Sequence, residues 1–281
     1  MEPLAILSDA ERSHQLSKYL NFLKDRDGIA DPVSRTLSKR EAFFDELARK
    51  PVRAKKPIDR DAFLRNLRRK PEPGLDPKVT WLLAASKSNI GERYGVEQAL
   101  KKQPSLGTAS DETLRYIELE ELVHTHLLLD CARVYGIEFE LAEPPPLQRY
   151  IINVLVHAPR WLARPMTLAG EITGTVVFRI LWERAADVFA DEPEVAAHLR
   201  SLLDQILVDE YGHVVFNRAV IDPAGIKMTR WMLPIIARNL LKGSPEVVEL
   251  AGGMDALLER VVAFGNEGTE VDVPAGLAFA V

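Results

Sequence analysis

The sequence predicts an all-α fold, and three observations carry that expectation. From residue 78 onward, apolar residues recur at helical spacing over long stretches. No short run alternates apolar and polar residues between turn pairs, as a half-buried strand would. Two of the long segments, 112–135 and 193–220, are apolar nearly all round, which suits a helix buried on every side.

Residues 1–75 are polar and basic, with Arg and Lys dense from Arg35 to Lys70. They hold short amphipathic segments, "EAFFDELA" (41–48) and "DAFLRNL" (61–67), and end at "PEPG" (71–74). This is read as a helical N-terminal extension in front of a bundle, 76–281, with which it forms one compact unit. Such a charge run serves either as a solvated helical face or as a surface for an anionic or protein partner.

A first long helix is expected over 79–101. The loop "QPSLGTASDE" follows, with Ser110 or Asp111 as N-cap of a second helix over 112–135. Gly136 is its stop signal. "EPPP" (143–146) opens a connector with its own helix, 147–162. A third long helix spans 167–190. "DEPE" (191–194) turns the chain, with Pro193 opening a fourth helix, 193–220. "DPAG" (222–225) closes that helix, and two more follow near 228–241 and 245–264.

Bulk properties exclude several classes. The net charge of −5 gives no general pull toward nucleic acid. Cys131 is the single cysteine, so no intrachain disulfide, thiolate cage or iron–sulfur cluster can form. Charges interrupt the first thirty residues, unlike a signal peptide, and no apolar run reaches 18 residues. A cytoplasmic protein with no membrane partner is expected.

The chemistry lies on the second and fourth helices. One carries Glu120-Glu121-Leu122-Val123-His124, the other Asp209-Glu210-Tyr211-Gly212-His213. Both read acid-Glu-x-x-His, and residues three apart share one helix face, so one Glu and one His can reach the same metal. Random placement of 24 Glu and 6 His gives about 0.5 such matches, so one alone means little. A third match, Glu11 to His14, sits in a charged terminal segment and is the accident expected. The other two lie in apolar runs, where an ionised carboxylate is costly unless paired or metal-bound.

A two-metal site in a four-helix bundle needs one further Glu from each partner helix. Facing residues of an antiparallel hairpin are equidistant from its turn. Glu171 and Glu210 have their midpoint between Ala190 and Asp191; Glu92 and Glu121 have theirs inside the "QPSLGT" loop. Glu97 and Glu183 are rival carboxylates with a poorer match. The order is Glu, Glu-x-x-His, long crossover, Glu, Glu-x-x-His.

Over residues 79–221 this pattern resembles the ferritin-like diiron carboxylate superfamily. The resemblance implies a ferritin-like four-helix bundle with added N- and C-terminal helices. It implies Glu92, Glu121, His124, Glu171, Glu210 and His213 as ligands of two iron ions, or of a manganese–iron pair, with O₂ as co-substrate. Four carboxylates offset the charge of two divalent ions. Glu120 and Asp209 face away from the metal edge of their own helices. Each can accept the free ring N–H of the His on the neighbouring helix and fix its tautomer.

Within the superfamily, Leu128 stands where a ribonucleotide reductase small subunit carries its radical Tyr, and one Cys rules out a rubrerythrin. Thr175, one turn after Glu171, resembles the Thr lining the oxygen pocket of bacterial multicomponent hydroxylases; alternatively it bonds its i−4 carbonyl. Ile206 stands where the aromatic-amine N-oxygenases usually carry a third His. Phe178 and Leu128 are pocket lining or plain core. The resemblance therefore implies a diiron monooxygenase that hydroxylates or N-oxygenates a small organic substrate. Its electrons would come from an external ferredoxin or reductase, and a homodimer is compatible. An iron storage or detoxification protein and a tRNA-modifying diiron hydroxylase are the alternatives; nucleic acid is otherwise not expected. His126, His157 and His198 read as structural.

Overall fold

The computed structural model describes residues 2–88, 90–101, 108–141 and 143–268, except the side chains of Glu92 and Leu147. The described residues are all-α apart from one small ladder. Helices α1 (Asp9–Asp27), α2 (Ser38–Arg49) and α3 (Arg60–Leu67) form the N-terminal segment. Between α1 and α2, strands β1 (Ala30–Asp31) and β2 (Thr36–Leu37) pair antiparallel, Ala30 opposite Leu37. That ladder corrects the expectation of no sheet; two residues per strand are too few to show alternation. Then come α4 (Pro77–Ser88), α5 (Ile90–Leu100), α6 (Ala109–Arg133), α7 (Pro146–His157), α8 (Arg160–Val188) and α9 (Pro193–Val220). Helices α10 (Pro223–Leu241), α11 (Pro245–Leu250) and α12 (Met254–Glu267) complete it.

Four helices close a ring: α4 packs on α6, α6 on α9, α9 on α8, and α8 on α4. Helix α9 needs that surround, since nearly every residue from Ile206 to Ala219 is buried. Trp81 of α4 fixes one seam, donating its indole N–H to the Leu181 carbonyl on α8 at 2.8 Å. Helices α8 and α9 form a hairpin, and Pro193 opens α9 at a position where a missing N–H costs no hydrogen bond. Glu192, beside that turn, accepts the backbone N–H groups of Lys55 and Lys56 and pairs with Lys78 at 2.7 Å. The N-terminal segment is thereby tied to the hairpin. Helix α1 lies across both α6 and α9, and α10 covers α8.

Several boundaries differ from the sequence reading. The helix expected over 79–101 is helical on both sides of residue 89, as α4 and α5; that residue and the 102–107 loop lie outside the described residues. Thr108 caps α6, taking the Asp111 N–H at 3.2 Å, in place of Ser110 or Asp111. Helix α8 begins at Arg160, not 167, and runs through Pro165. The ring of Pro165 frees the carbonyl of Trp161, but Trp161 is 68% exposed, so water can serve that carbonyl. The last predicted helix is divided into α11 and α12 at Gly252 and Gly253, whose φ values of 84° and 124° favour glycine. The Glu11–His14 match belongs to α1, where Glu11 and Ser8 form a capping box.

No helix among the described residues is long and apolar enough to cross a membrane.

Candidate metal centre

Glu121 and His124 come from α6, Glu171 from α8, and Glu210 and His213 from α9. The i, i+3 spacing sets each Glu–His pair on one face, and the ring of helices turns those faces inward. Glu121, Glu171, Glu210 and His213 each offer a ligand atom within 4.8 Å of the others. His124 stands on the Glu121–Glu210 side of this group, its Nδ1 3.2 Å from Glu121 Oε2 and 3.4 Å from Glu210 Oε1. His213 stands on the other side, its Nδ1 3.1 Å from Glu121 Oε1 and 3.6 Å from Glu171 Oε2. The two oxygens of Glu121 thus face different histidines.

The cluster is deeply buried. His124, His213 and Glu210 are fully covered, and Glu121 is 5% exposed. The side chain of Glu171 keeps 13% exposure, so the cluster comes nearest to solvent on the α8 side. Asn217, one turn after His213, reaches Glu171 Oε1 at 3.5 Å. Of the remaining sequence candidates, Glu92 lies on α5, but its side chain is outside the described residues. Thr175 donates its hydroxyl to the Glu171 carbonyl at 2.7 Å. The rivals are held elsewhere: Glu183 by Arg179 and by both oxygens to Arg260, and Glu97 by Arg93. Phe178 is buried with its ring edge-on to His124, and Leu128 is buried core.

Each histidine also has an outer carboxylate on the opposite helix. His124 Nε2 lies 3.1 Å from Asp209 Oδ2 of α9, and His213 Nε2 lies 3.0 Å from Glu120 Oε2 of α6. Burial raises the Asp209 carboxyl, but Arg26, Arg40 and His124 outweigh it and hold the group well below its usual range. An ionised carboxylate can only accept, so the proton of His124 is on Nε2. Its Nδ1 is then left to face Glu121 and Glu210. A bare lone pair aimed at carboxylate oxygens is repulsive, so a cation must sit between them: either a proton or a metal ion.

With no metal, protons take that place. Burial disfavours the His124 cation, but Glu121 and Asp209 raise its pKa to about 9. His213, opposed by burial and favoured by Glu120, Glu121 and Glu171, is raised well above its usual value. Burial, Asp209 and Asp27 push Glu120 to about 8, whereas the two imidazoliums overcome burial and pull Glu121 to about 2.

Sequence reasoning missed the layer outside Asp209. Arg26 of α1 pairs with Asp209 Oδ1, and Arg40 of α2 reaches both Asp209 oxygens at 2.8 and 3.0 Å. Arg40 also holds Asp27 at 2.7 Å. The basic run was expected to be a solvated or partner-binding face, and its Arg and Lys are exposed except Arg40, which is only 5% exposed and turned inward. The signal available was indirect: too many carboxylates for the cations of the bundle itself. Among the described side chains, and with Glu120 also ionised as it would be beside metal, Asp27, Glu120, Glu121, Glu171, Asp209 and Glu210 set six negative charges against two guanidiniums. Four negative charges remain, which two divalent ions would neutralise. The donor set, all oxygen and imidazole, suits iron or manganese.

Tyr19 of α1 is the other unforeseen neighbour. It packs against Gly212, between Glu210 and His213, where a Cβ would stand 2.6 Å from its Cζ. Two cavities, of about 730 and 910 Å³, open beside α6, and no residue of the inner cluster lines either.

Fold and cluster together define a class: an all-α protein with a buried carboxylate–histidine cluster able to hold metal. No protein-family model matches the chain, and neither a curated protein nor a solved structure is significantly similar to it.

Proposed function

We propose that the protein is a ferritin-like, two-metal carboxylate enzyme, an O₂-dependent monooxygenase that hydroxylates or N-oxygenates a small organic substrate. The observation that carries this reading is the inward Nδ1 of both histidines among Glu121, Glu171 and Glu210, with each Nε2 engaged by an outer carboxylate. Glu121, whose two oxygens face the two histidines, would be one of the residues holding the metal. Glu171, Glu210 and, from α5, Glu92 would complete the set. When bound, an iron pair, or iron with manganese, supplies the redox chemistry of O₂; the chain orients it and keeps the surroundings dry. Phe178 and the buried wall around it exclude water on the His124 side. Thr175 would have to release the Glu171 carbonyl to act on substrate or O₂. Cys131 is alone and buried, so electrons would come from an external ferredoxin or reductase.

Iron storage fits less well, because a cluster this deeply buried, with only Glu171 appreciably exposed, suits resident metal rather than metal in transit. Nucleic-acid modification is not singled out by the basic segment: Arg40 is turned inward, and the other Arg and Lys from Arg35 to Lys70 are exposed, as on a solvated face.

Metal analysis after anaerobic ferrous reconstitution tests the proposal. Two irons per chain are expected, lost in both Glu121→Ala and Glu210→Ala. Full occupancy in both variants would sink the metal centre. Uptake of iron far beyond two per chain under O₂ would instead favour storage.

A further inference from the structure

Asp209 is where the N-terminal helices reach the cluster. Arg40 spreads its whole fork there: Nη2 on both oxygens of Asp209, Nε on Asp27, and Nη1 on Gln205 Oε1 at 3.0 Å. Arg26 adds a second guanidinium on Asp209 Oδ1 and donates to the Gln205 carbonyl at 3.2 Å. The remaining face of Asp209 meets His124 Nε2. Glu120, the counterpart behind His213, has no such clamp: Arg26 and Arg40 come no nearer than 3.8 and 4.0 Å to its Oε1. The two halves of the centre are therefore built unequally.

We propose that Arg26 and Arg40 are positioning residues for the metal centre. Acting through Asp209, they fix the plane and tautomer of His124, so that α1 and α2 are part of the centre and not an appendage to it. This rests on the metal reading of the cluster given above.

The physical case starts from cost. Four charged side chains, Arg26, Asp27, Arg40 and Asp209, are packed where apolar residues of similar volume would often be as stable. What apolar residues could not supply is a carboxylate held rigidly ionised behind a ligand. A lone Asp209 could rotate about its side-chain torsions and turn either oxygen to His124. Two oxygens held by an Nη2 whose guanidinium is itself fixed on Asp27 and Gln205, with Arg26 on Oδ1 as well, cannot. His124 then presents Nδ1 inward at no further ordering cost when metal arrives. A consequence follows for the fold: metal at the His124 half should tighten the seating of α2, because both pull on the same carboxylate.

Cobalt(II) tests this, since its visible absorption reports coordination. The full chain is titrated as wild type, Arg40→Lys and Arg40→Met. Lys87→Met, which breaks the Lys87–Glu246 ion pair elsewhere in the protein, is the control. Outer-sphere partners of a metal-bound His are worth about 10–100-fold in affinity. Arg40→Met should weaken one of the two cobalt equivalents by about that factor and alter its spectrum, leaving the other unchanged. Arg40→Lys, which keeps the charge but not the fork, should fall between; it serves alone if Arg40→Met does not fold. Lys87→Met should lose thermal stability with unchanged cobalt binding. Amide exchange across Ser38–Arg49 should slow on metal loading in the wild type and not in Arg40→Met. If wild type loads cobalt and both Arg40 variants match it in affinity and spectrum, the positioning role is wrong while the metal centre stands. If wild type takes up no cobalt, both readings fall.

Discussion

Loading the centre with metal should expel protons, and the number can be worked from the site. Two imidazole Nδ1 atoms face carboxylates, and a metal ion must take the place of the proton each carries. With unperturbed pKa values near 6.5, two histidines would hold only about half a proton between them at pH 7. Here His124 is raised to about 9 and His213 well above its usual value, so both are essentially fully protonated without metal. Glu120, pushed to about 8, adds a third proton at pH 7, which two dications nearby would drive off. The expectation is therefore about two to three protons per chain released on full loading at pH 7. Raising the pH removes the competitors in advance, so combined affinity should climb by about two to three decades per pH unit near neutrality. Zinc titration in weak buffer with a pH indicator counts the protons directly, and calorimetry in two buffers of different ionisation enthalpy checks the count. Release below about one proton at pH 7 would refute the reasoning, because the inward nitrogens would then not be held as cations by Glu121, Glu171 and Glu210.

The same groups predict how the metal-free protein responds to pH. His124 and Glu120 bind protons more tightly folded than unfolded, so their contribution is present at low pH and lost as pH rises. For His124 the window runs from about 6.5 to about 9 and is worth on the order of 3 kcal/mol. Thermal melts of metal-free protein should fall across that window, and metal should flatten the trend; a rising melt would contradict it. Gly212→Ala should destabilise by about 1–3 kcal/mol, since the new methyl meets the buried Tyr19 ring with no room to yield. An unchanged denaturant midpoint would count against that packing. Glu192→Ala should release the chain around Lys55 and Lys56 to limited proteolysis while leaving metal content unchanged, as the carboxylate ties that segment to the α8–α9 turn. Equal protease resistance in both proteins would show the tie to be dispensable.

What can be read from this sequence divides by the range of the information. Helix α9 is legible to the residue because its signals are local: Pro193 to open it, "DPAG" after it, and apolar residues on every face between. The pairing of Glu121 with His124, and of Glu210 with His213, is legible for the same reason, since a helix converts a spacing of three into one face. Hairpin symmetry carries one step further, to Glu171, because a four-residue turn leaves little freedom in register. On the other side it points to Glu92, whose side chain lies outside the described residues. Pro165 misleads: as a breaker it suggests a new helix, yet an exposed carbonyl one turn back makes it tolerable inside α8. Arg26 and Arg40 are out of reach of all such arguments. They lie 183 and 169 residues from Asp209, and nothing in "KDRDG" or "LSKRE" separates a buried guanidinium from a solvated one. Charge conservation is the only sequence-level handle on them. A bundle that buries acids at Glu120, Glu121, Glu171, Asp209 and Glu210 must find cations, and two metal ions do not also supply the rigid, ionised partner that His124 needs. That demand points outside the bundle to whatever basic helices the chain carries, and in this chain they come first.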